Sequence, residues 1–236
     1  MNDFRTKLTV DIHDVDYNGV ARASSLMKYI QSAAQTQLTE KGMSYDRLKD
    51  MNRAFILSRI KMEFTDTVRA YEPLTAITFP ATSRGYSFLR CYKLERDGIT
   101  IGRAVSIWAL VDIKSKALIR VNDFDLGLDT YDPLDMPLTR VIMPKDMNTV
   151  GTYTVTYSDV DQNGHMNNTR YPDMYSHFLP LDNKRIESIT ISYLNEAPAS
   201  EVLTVEMGRL EDLYYFRTLR RDGKINTEAE IKLAGI

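Results

Sequence analysis

The stretch Ser158-Asp159-Val160-Asp161-Gln162-Asn163-Gly164-His165-Met166-Asn167-Asn168 decides how this chain is read, because Asp14-Val15-Asp16-Tyr17-Asn18-Gly19-Val20, near the N-terminus, is a degraded copy of it. Both copies keep Asp-x-Asn-Gly, while the place of His165 is taken in the earlier one by Val20. A segment met twice in one chain marks a duplicated unit, and the unequal retention of a histidine points to one half that kept chemistry and one that kept the fold.

The same order of elements surrounds each turn. Leu8-Thr9-Val10-Asp11-Ile12 alternates as a half-buried strand, and residues 14–19 are dense in turn formers. From Ala23 to Leu48 apolar residues recur at helical spacing with no proline and one glycine, Gly42, which predicts a long helix with Ser24 or Ser25 as its cap. Alternating β-branched and aromatic residues then predict strands over 55–64, 74–79, 87–94 and 99–112, the last two joined at Asp97-Gly98 as a tight hairpin. Residues 129–148 carry Pro133, Pro137 and Pro144 among polar residues and are expected to form an extended linker rather than packed structure. The order then restarts with a strand over 153–157, the second turn, a shorter helix over 171–179, and strands over 187–194, 201–210, 214–220 and 225–234; Asp222-Gly223 repeats the hairpin signal.

Three landmarks keep their order between the halves. Asp161 lies 145 positions after Asp16, Glu201-Val202-Leu203-Thr204 lies 129 after Glu72-Pro73-Leu74-Thr75, and Asp222-Gly223 lies 125 after Asp97-Gly98. The shrinking offset places the lost residues of the second half between its turn and its second strand, where the helix lies. The expected class is α+β: two tandem hot-dog domains, each a long helix wrapped by an antiparallel sheet, over residues 1–128 and 149–236 with the linker between them. Sheets set edge to edge within one chain replace the homodimer that a single such domain needs, and a further homodimer is left open by the sequence.

Bulk properties narrow the function classes. The 236 residues are 43% hydrophobic, and 30 Lys+Arg stand against 32 Asp+Glu, a formal net charge of −2 that gives no global attraction to nucleic acid or anionic lipid. Cys91 is the single cysteine, so no intramolecular disulfide forms, and with three histidines the chain has too few soft ligands for a zinc cluster; no metal or cofactor is expected. The N-terminus turns directly into a strand-like run without a basic-then-apolar signal, and nowhere do about 18 apolar residues run together. A cytoplasmic protein without a membrane span is expected.

Asp161, Asn163 and His165 alternate, so an extended or turn backbone places their side chains on one side. Turn formation alone accounts for Asp16 and Asn18 and is an alternative reading of Asp161 and Asn163, but a histidine just before a helix is also suited to acid–base work. His13 is read as a surface or structural residue, His177, late in the second helix, is assigned no role, and Cys91, on a strand of the other half, is read as a small core residue.

Asp161-Gln162-Asn163-Gly164-His165-Met166-Asn167-Asn168-Thr169-Arg170-Tyr171 resembles the Asp-x-Asn-x-His-x-Asn-Asn-x-x-Tyr signature of the acyl-acyl carrier protein thioesterases, a tandem hot-dog family; the likeness is to its bacterial type, without a plastid transit peptide. Ser106-Ile107-Trp108-Ala109-Leu110-Val111-Asp112 is similar to the family's Ser-x-Trp strand, and Tyr193-Leu194-Asn195-Glu196-Ala197 to its Tyr-Arg-Arg-Glu-Cys segment. The resemblance runs in order over nearly the whole chain and implies hydrolysis of a fatty acyl thioester of acyl carrier protein. It places Asp161, Asn163, His165 and Glu196 in the active site. The chain departs from plant-type members at Ala197, where those have a cysteine once considered a nucleophile, so water is the expected nucleophile here.

In that reading Glu196 acts as general base, Asn163 and His165 position the water or the carbonyl, Asp161 orients its neighbours, and backbone N–H groups near Met166, Asn167 and Asn168 face the oxyanion. Whether Glu196 or His165 takes the proton stays open, and a solvated strand-end carboxylate is the other reading of Glu196. Adding the 129-residue offset to Thr67 reaches Glu196, so the first half lacks both the histidine and the carboxylate. The face bearing Met27, Ile30 and Ala34, with Phe55 and Leu57, is expected to line an acyl pocket in the first half, though core packing explains the same residues. An acidic carrier protein calls for a locally basic surface, for which Arg209, Arg217, Arg220, Arg221 and Lys224 around the last hairpin are candidates, with Arg84, Arg90, Lys93 and Arg96 in the related region of the first half. Solvated strand faces account for most of these equally well. Other hot-dog enzymes, an acyl-CoA thioesterase or a dehydratase, and a non-catalytic acyl- or carrier-binding module are the alternatives.

Overall fold

The computed structural model describes residues 3–236. Eleven strands form one antiparallel sheet: β1 (Phe4–Thr9), β2 (Arg53–Phe64), β3 (Pro73–Arg84), β4 (Ser87–Arg96), β5 (Ile99–Asp112), the two-residue β6 (Leu118–Ile119), β7 (Asn148–Thr154), β8 (Lys184–Tyr193), β9 (Val202–Leu210), β10 (Leu213–Leu219) and β11 (Ile225–Gly235). The helices are α1 (Ala23–Glu40), α2 (Tyr45–Asp50) and α3 (Tyr171–Ser176). Across the sheet the order is β1-β3-β4-β5-β2-β8-β11-β10-β9-β7, with β6 beside β5. The first and second halves of that order carry the same connectivity in mirror sequence, as a duplication requires.

The seam between the halves is the β2–β8 pair, where Arg59 faces Ser192, Lys61 faces Thr190 and Glu63 faces Ser188. The 129-residue offset maps Lys61 onto Thr190, Arg59 onto Ser188 and Glu63 onto Ser192. Lys61 therefore pairs with its own image and its neighbours pair crosswise, which puts a local two-fold axis through the Lys61–Thr190 pair. Two edges that would otherwise expose unpaired N–H and carbonyl groups close on each other.

α1 buries Leu26, Met27, Ile30, Ala33 and Ala34 against one face of the first half's sheet, on the i, i+3, i+4, i+7 stripe that its sequence shows. The helix stops at Glu40, where Gly42 takes φ +77°, and Ser44 caps α2 by accepting the Arg47 N–H at 3.2 Å; the single helix expected over 23–48 is thus two. In the second half α3 has six residues, buries Tyr171, Met174 and Tyr175, and has no counterpart of α2 after it. The core is continuous from α1 across the seam to α3.

The proline-rich connection differs most from its sequence reading. Tyr131 N–H donates to the Pro80 carbonyl at 3.1 Å, and Met136, Leu134, Leu138 and Tyr131 pack with Phe79, Ala81, Cys91 and Val105 into a second core, separate from that of α1. Its backbone is extended, as prolines dictate, but its apolar side chains cover the outer surface of β3, β4 and β5. Cys91 is fully buried in this cluster and burial pushes its thiol pKa up, which leaves it a packing residue.

Candidate active site

The two copies of Asp-x-Asn-Gly fold into the same backbone turn. In the second, the Asp161 carboxylate accepts the Asn163 N–H at 2.8 Å, Asp161 N–H donates to the His165 carbonyl at 3.0 Å, and Gly164 N–H returns to the Asp161 carbonyl at 3.0 Å. In the first, Asp16 accepts the Asn18 N–H at 2.9 Å, Asp16 N–H donates to Val20 at 2.8 Å, and Gly19 N–H returns to Asp16 at 2.9 Å. Gly164 and Gly19 sit at φ +83° and +71°, where a Cβ is disfavoured. Each turn then docks on the equivalent strand-end segment of its own half, Met166 N–H to the Ala197 carbonyl and Ala21 N–H to the Val68 carbonyl, both at 2.8 Å.

That docking brings chemistry together in one half only. His165 bridges to Pro198, and its Nε2 lies 3.1 Å from Oε2 of Glu196, with side chains 35% and 60% exposed. In the first half Val20 bridges to Arg69 and Thr67 stands where Glu196 would, so no acid–base pair forms. Asp161, Asn163, His165, Glu196 and Asn168 all line a cleft of about 1540 Å³ that runs into the first half past Ala34, Leu38, Phe55, Leu57, Phe88 and Trp108. Met27 and Ile30, expected in the pocket wall, belong instead to the buried core beneath α1.

The backbone donors expected over Met166 to Asn168 are mostly spoken for. Met166 N–H is held by Ala197, and Asn167 N–H by the Asp159 carbonyl at 2.8 Å. Asn167 instead caps the 3-10 turn Asn168–Arg170, its Oδ1 accepting from the Thr169 N–H at 2.9 Å and hydroxyl at 2.8 Å. Asn168 N–H, the first of that turn, has no partner among the described residues.

Family models describe the same chain: that of the acyl-ACP thioesterase N-terminal domain matches residues 1–125, and that of the acyl-ACP thioesterase C-terminal domain matches residues 142–234. The chain belongs to the acyl-ACP thioesterase family. It is 21% identical over 221 residues, 85% of its length, to the chloroplastic palmitoyl-acyl carrier protein thioesterase of Arabidopsis thaliana, and spans about half (53%) of that protein. Its fold matches the crystal structure of an acyl-ACP thioesterase from Bacteroides thetaiotaomicron with a TM-score of 0.90, at 20% identity, over 98% of each chain. The 12:0-ACP thioesterase from Umbellularia californica matches with a TM-score of 0.85 at 14% identity, over 99% of this chain and 98% of that one. These likenesses establish the tandem hot-dog fold.

The basic groups of this acyl-ACP thioesterase family member are less free than its sequence implies. Arg217 is held by Glu228 at 3.0 Å and Glu206 at 3.8 Å, Arg220 by Glu201 and Asp222 at 3.7 Å each, and Lys224 by Asp222 at 3.4 Å; Arg209 lies over the Tyr214 ring. Arg221 stays exposed, and Arg220 alone of the five lines the cleft. Arg90 is no surface cation. It is 7% exposed on the inner wall, donating to Gln37 Oε1 at 2.7 Å and Thr78 Oγ1 at 3.0 Å, with no carboxylate in ion-pair reach among the described residues, and burial pulls its pKa down.

Two tyrosines, the buried Tyr171 and the partly buried Tyr193, support the strand end that carries Glu196. Tyr193 donates to the Asn168 carbonyl at 2.8 Å and stacks edge-on against Tyr171, whose hydroxyl accepts from Asn226 Nδ2 at 3.1 Å; the same amide also donates to the Asn195 carbonyl. Burial pushes the Tyr171 hydroxyl up to about 12 and raises Tyr193 and Tyr175 as well. A raised folded-state pKa gives stability that is full below the unfolded value near 10 and is lost as pH rises through about 12. In an alkaline titration, tyrosinate absorbance and loss of far-UV circular dichroism are expected to rise together in that window; full ionisation of all tyrosines with the fold intact would contradict it.

Proposed function

We propose that this chain hydrolyses the thioester of fatty acyl-acyl carrier protein, releasing a free fatty acid, with the second half supplying the chemistry and the first half the acyl pocket. The observation that carries the reading is the His165–Glu196 pair, 3.1 Å apart, at the wall of a cleft continuous with the apolar inner surface of the first half. Water adds to the thioester carbonyl carbon while its proton passes to the Glu196–His165 pair. The developing oxyanion meets the Asn163 side-chain amide and the Asn168 N–H, and the C–S bond then breaks, the carrier thiolate leaving with that proton. Ala197 removes the thiol alternative and Cys91 is buried in the opposite face, so no cysteine competes as nucleophile. Asp161 holds the turn rather than touching the reacting atoms.

The site as drawn calls for no metal or cofactor. The carrier docks along the last hairpin, where Arg220 reaches the cleft and Arg221 and Lys224 lie on the surface beside it. The test is a panel of acyl carrier protein and coenzyme A thioesters of graded chain length, read by thiol release and by the identity of the acid. Thiol and free acid from the carrier thioesters are expected, at rates that fall with added salt. An enoyl product would make the chain a dehydratase, preference for coenzyme A would move the substrate class, and binding without release would make it an acyl-binding module.

A further inference from the structure

The halves differ at the repeated asparagine in a way that the loss of the histidine does not explain. Asn18 spends its amide nitrogen on the Leu181 carbonyl, donated at 3.0 Å, and its neighbour Tyr17 donates to Asp182, so the degenerate turn is stitched to the loop after α3. Asn163, on an identical backbone turn, is held from the opposite end of its amide: the Tyr45 hydroxyl donates to Asn163 Oδ1 at 2.7 Å. Tyr45 opens α2, which Ser44 caps and the buried Leu48 seats against the first half. The second half passes from α3 to β8 without any such helix, so its image cannot reach Asn18.

We infer that Tyr45 is a positioning residue for thioester hydrolysis, acting through Asn163, and that α2 is therefore part of the active site contributed by the half without the catalytic pair. An amide whose oxygen is engaged presents both of its N–H groups elsewhere, and Asn163 and Tyr45 both line the cleft that holds His165 and Glu196. The hydroxyl thus selects the amide face that donates to a carbonyl oxygen gaining negative charge, and without it the amide turns freely between donor and acceptor. The paired contrast with Asn18 adds a physical reason for one working site per chain: one asparagine has its amide nitrogen tied to a backbone carbonyl, while the other is held by its oxygen and keeps its N–H groups turned away from the tyrosine.

This inference rests on the hydrolase reading, and its test separates the two. Tyr45→Phe removes one oxygen and leaves Leu48 to hold α2. Its kcat on an acyl carrier thioester is expected to fall roughly tenfold, the scale of one hydrogen bond lost from a positioned group, with KM within about twofold of wild type and an unshifted pH profile. Adding Tyr45→Phe to Asn163→Ala is expected to slow the enzyme no further, since the tyrosine has nothing left to position. Wild-type kcat in Tyr45→Phe, or full additivity in the double variant, overturns the inference and leaves the hydrolase reading standing. The second arm needs no turnover: the Asn163 side-chain amide resonances, assigned by their absence in Asn163→Asp, should shift or broaden in Tyr45→Phe, and unchanged resonances count against the clamp. Absence of any acid from the wild-type protein sinks the hydrolase reading, and with it the positioning role of Tyr45.

Discussion

Replacing Glu196 with glutamine should lower kcat on an acyl carrier thioester by about three orders of magnitude while KM stays near the wild-type value. The glutamine keeps the shape and a hydrogen-bonding partner for His165 but cannot take a proton, and loss of a positioned general base typically costs between about 10² and 10⁴ in rate. His165→Ala should fall by a similar factor, and the double variant should be no slower than the worse single one, because in the proposed mechanism the two side chains, 3.1 Å apart, act as one unit. Neither change should disturb the fold: the Glu196 side chain is 60% exposed, and His165 is held to Pro198 by an isolated backbone bridge that does not involve its side chain. Steady-state kinetics beside thermal unfolding of the same samples checks this. Near-normal turnover in either variant would remove the pair from the mechanism.

The second large effect concerns the seam. Ile191→Ala removes a fully buried side chain of β8 opposite Ile60 of β2, itself fully buried, and should cost about 2–5 kcal/mol, a large share of a typical total stability of about 5–15 kcal/mol. Because the sheet and core run without interruption through that pair, both halves should lose the stability together. Trp108, the only tryptophan, lies on β5 of the first half and reports that half by fluorescence, while far-UV circular dichroism reports the whole chain. Both signals are expected to shift to the same lower midpoint. A Trp108 transition left at its wild-type position would show that the halves unfold independently.

Much of the frame was legible in local pattern. Asp97-Gly98 sits at φ +52° and +80° in the predicted hairpin, and strands β4 and β5 lie where alternation puts them, since positive φ and a two-residue period are properties of a few adjacent residues. Apolar spacing continues past Gly42, so the helix reads longer in sequence than it is: α1 ends at Glu40 and Gly42 takes a positive φ ahead of α2. In the connection over 129–148 the prolines report backbone shape, which is extended, and say nothing of where Leu134 and Met136 find apolar partners. Tyr45 left no signal at all: one tyrosine at the start of a short helix becomes informative only when the chain brings it to a turn 118 positions away.

The sequence by itself determined the duplicated turn, the asymmetry between His165 and Val20, the carboxylate at Glu196 and the missing thiol at Ala197. Those are matters of residue identity and of torsion preferences that act over three or four residues. Only the tertiary structure decided that His165 meets Glu196, that Met166 and Asn167 have no backbone N–H to spare, that Arg90 is buried in the cleft wall, and that the first half reaches across to hold Asn163. Each of these depends on which distant backbone groups and side chains become neighbours, and that follows from closing the sheet through β2 and β8 rather than from any local preference.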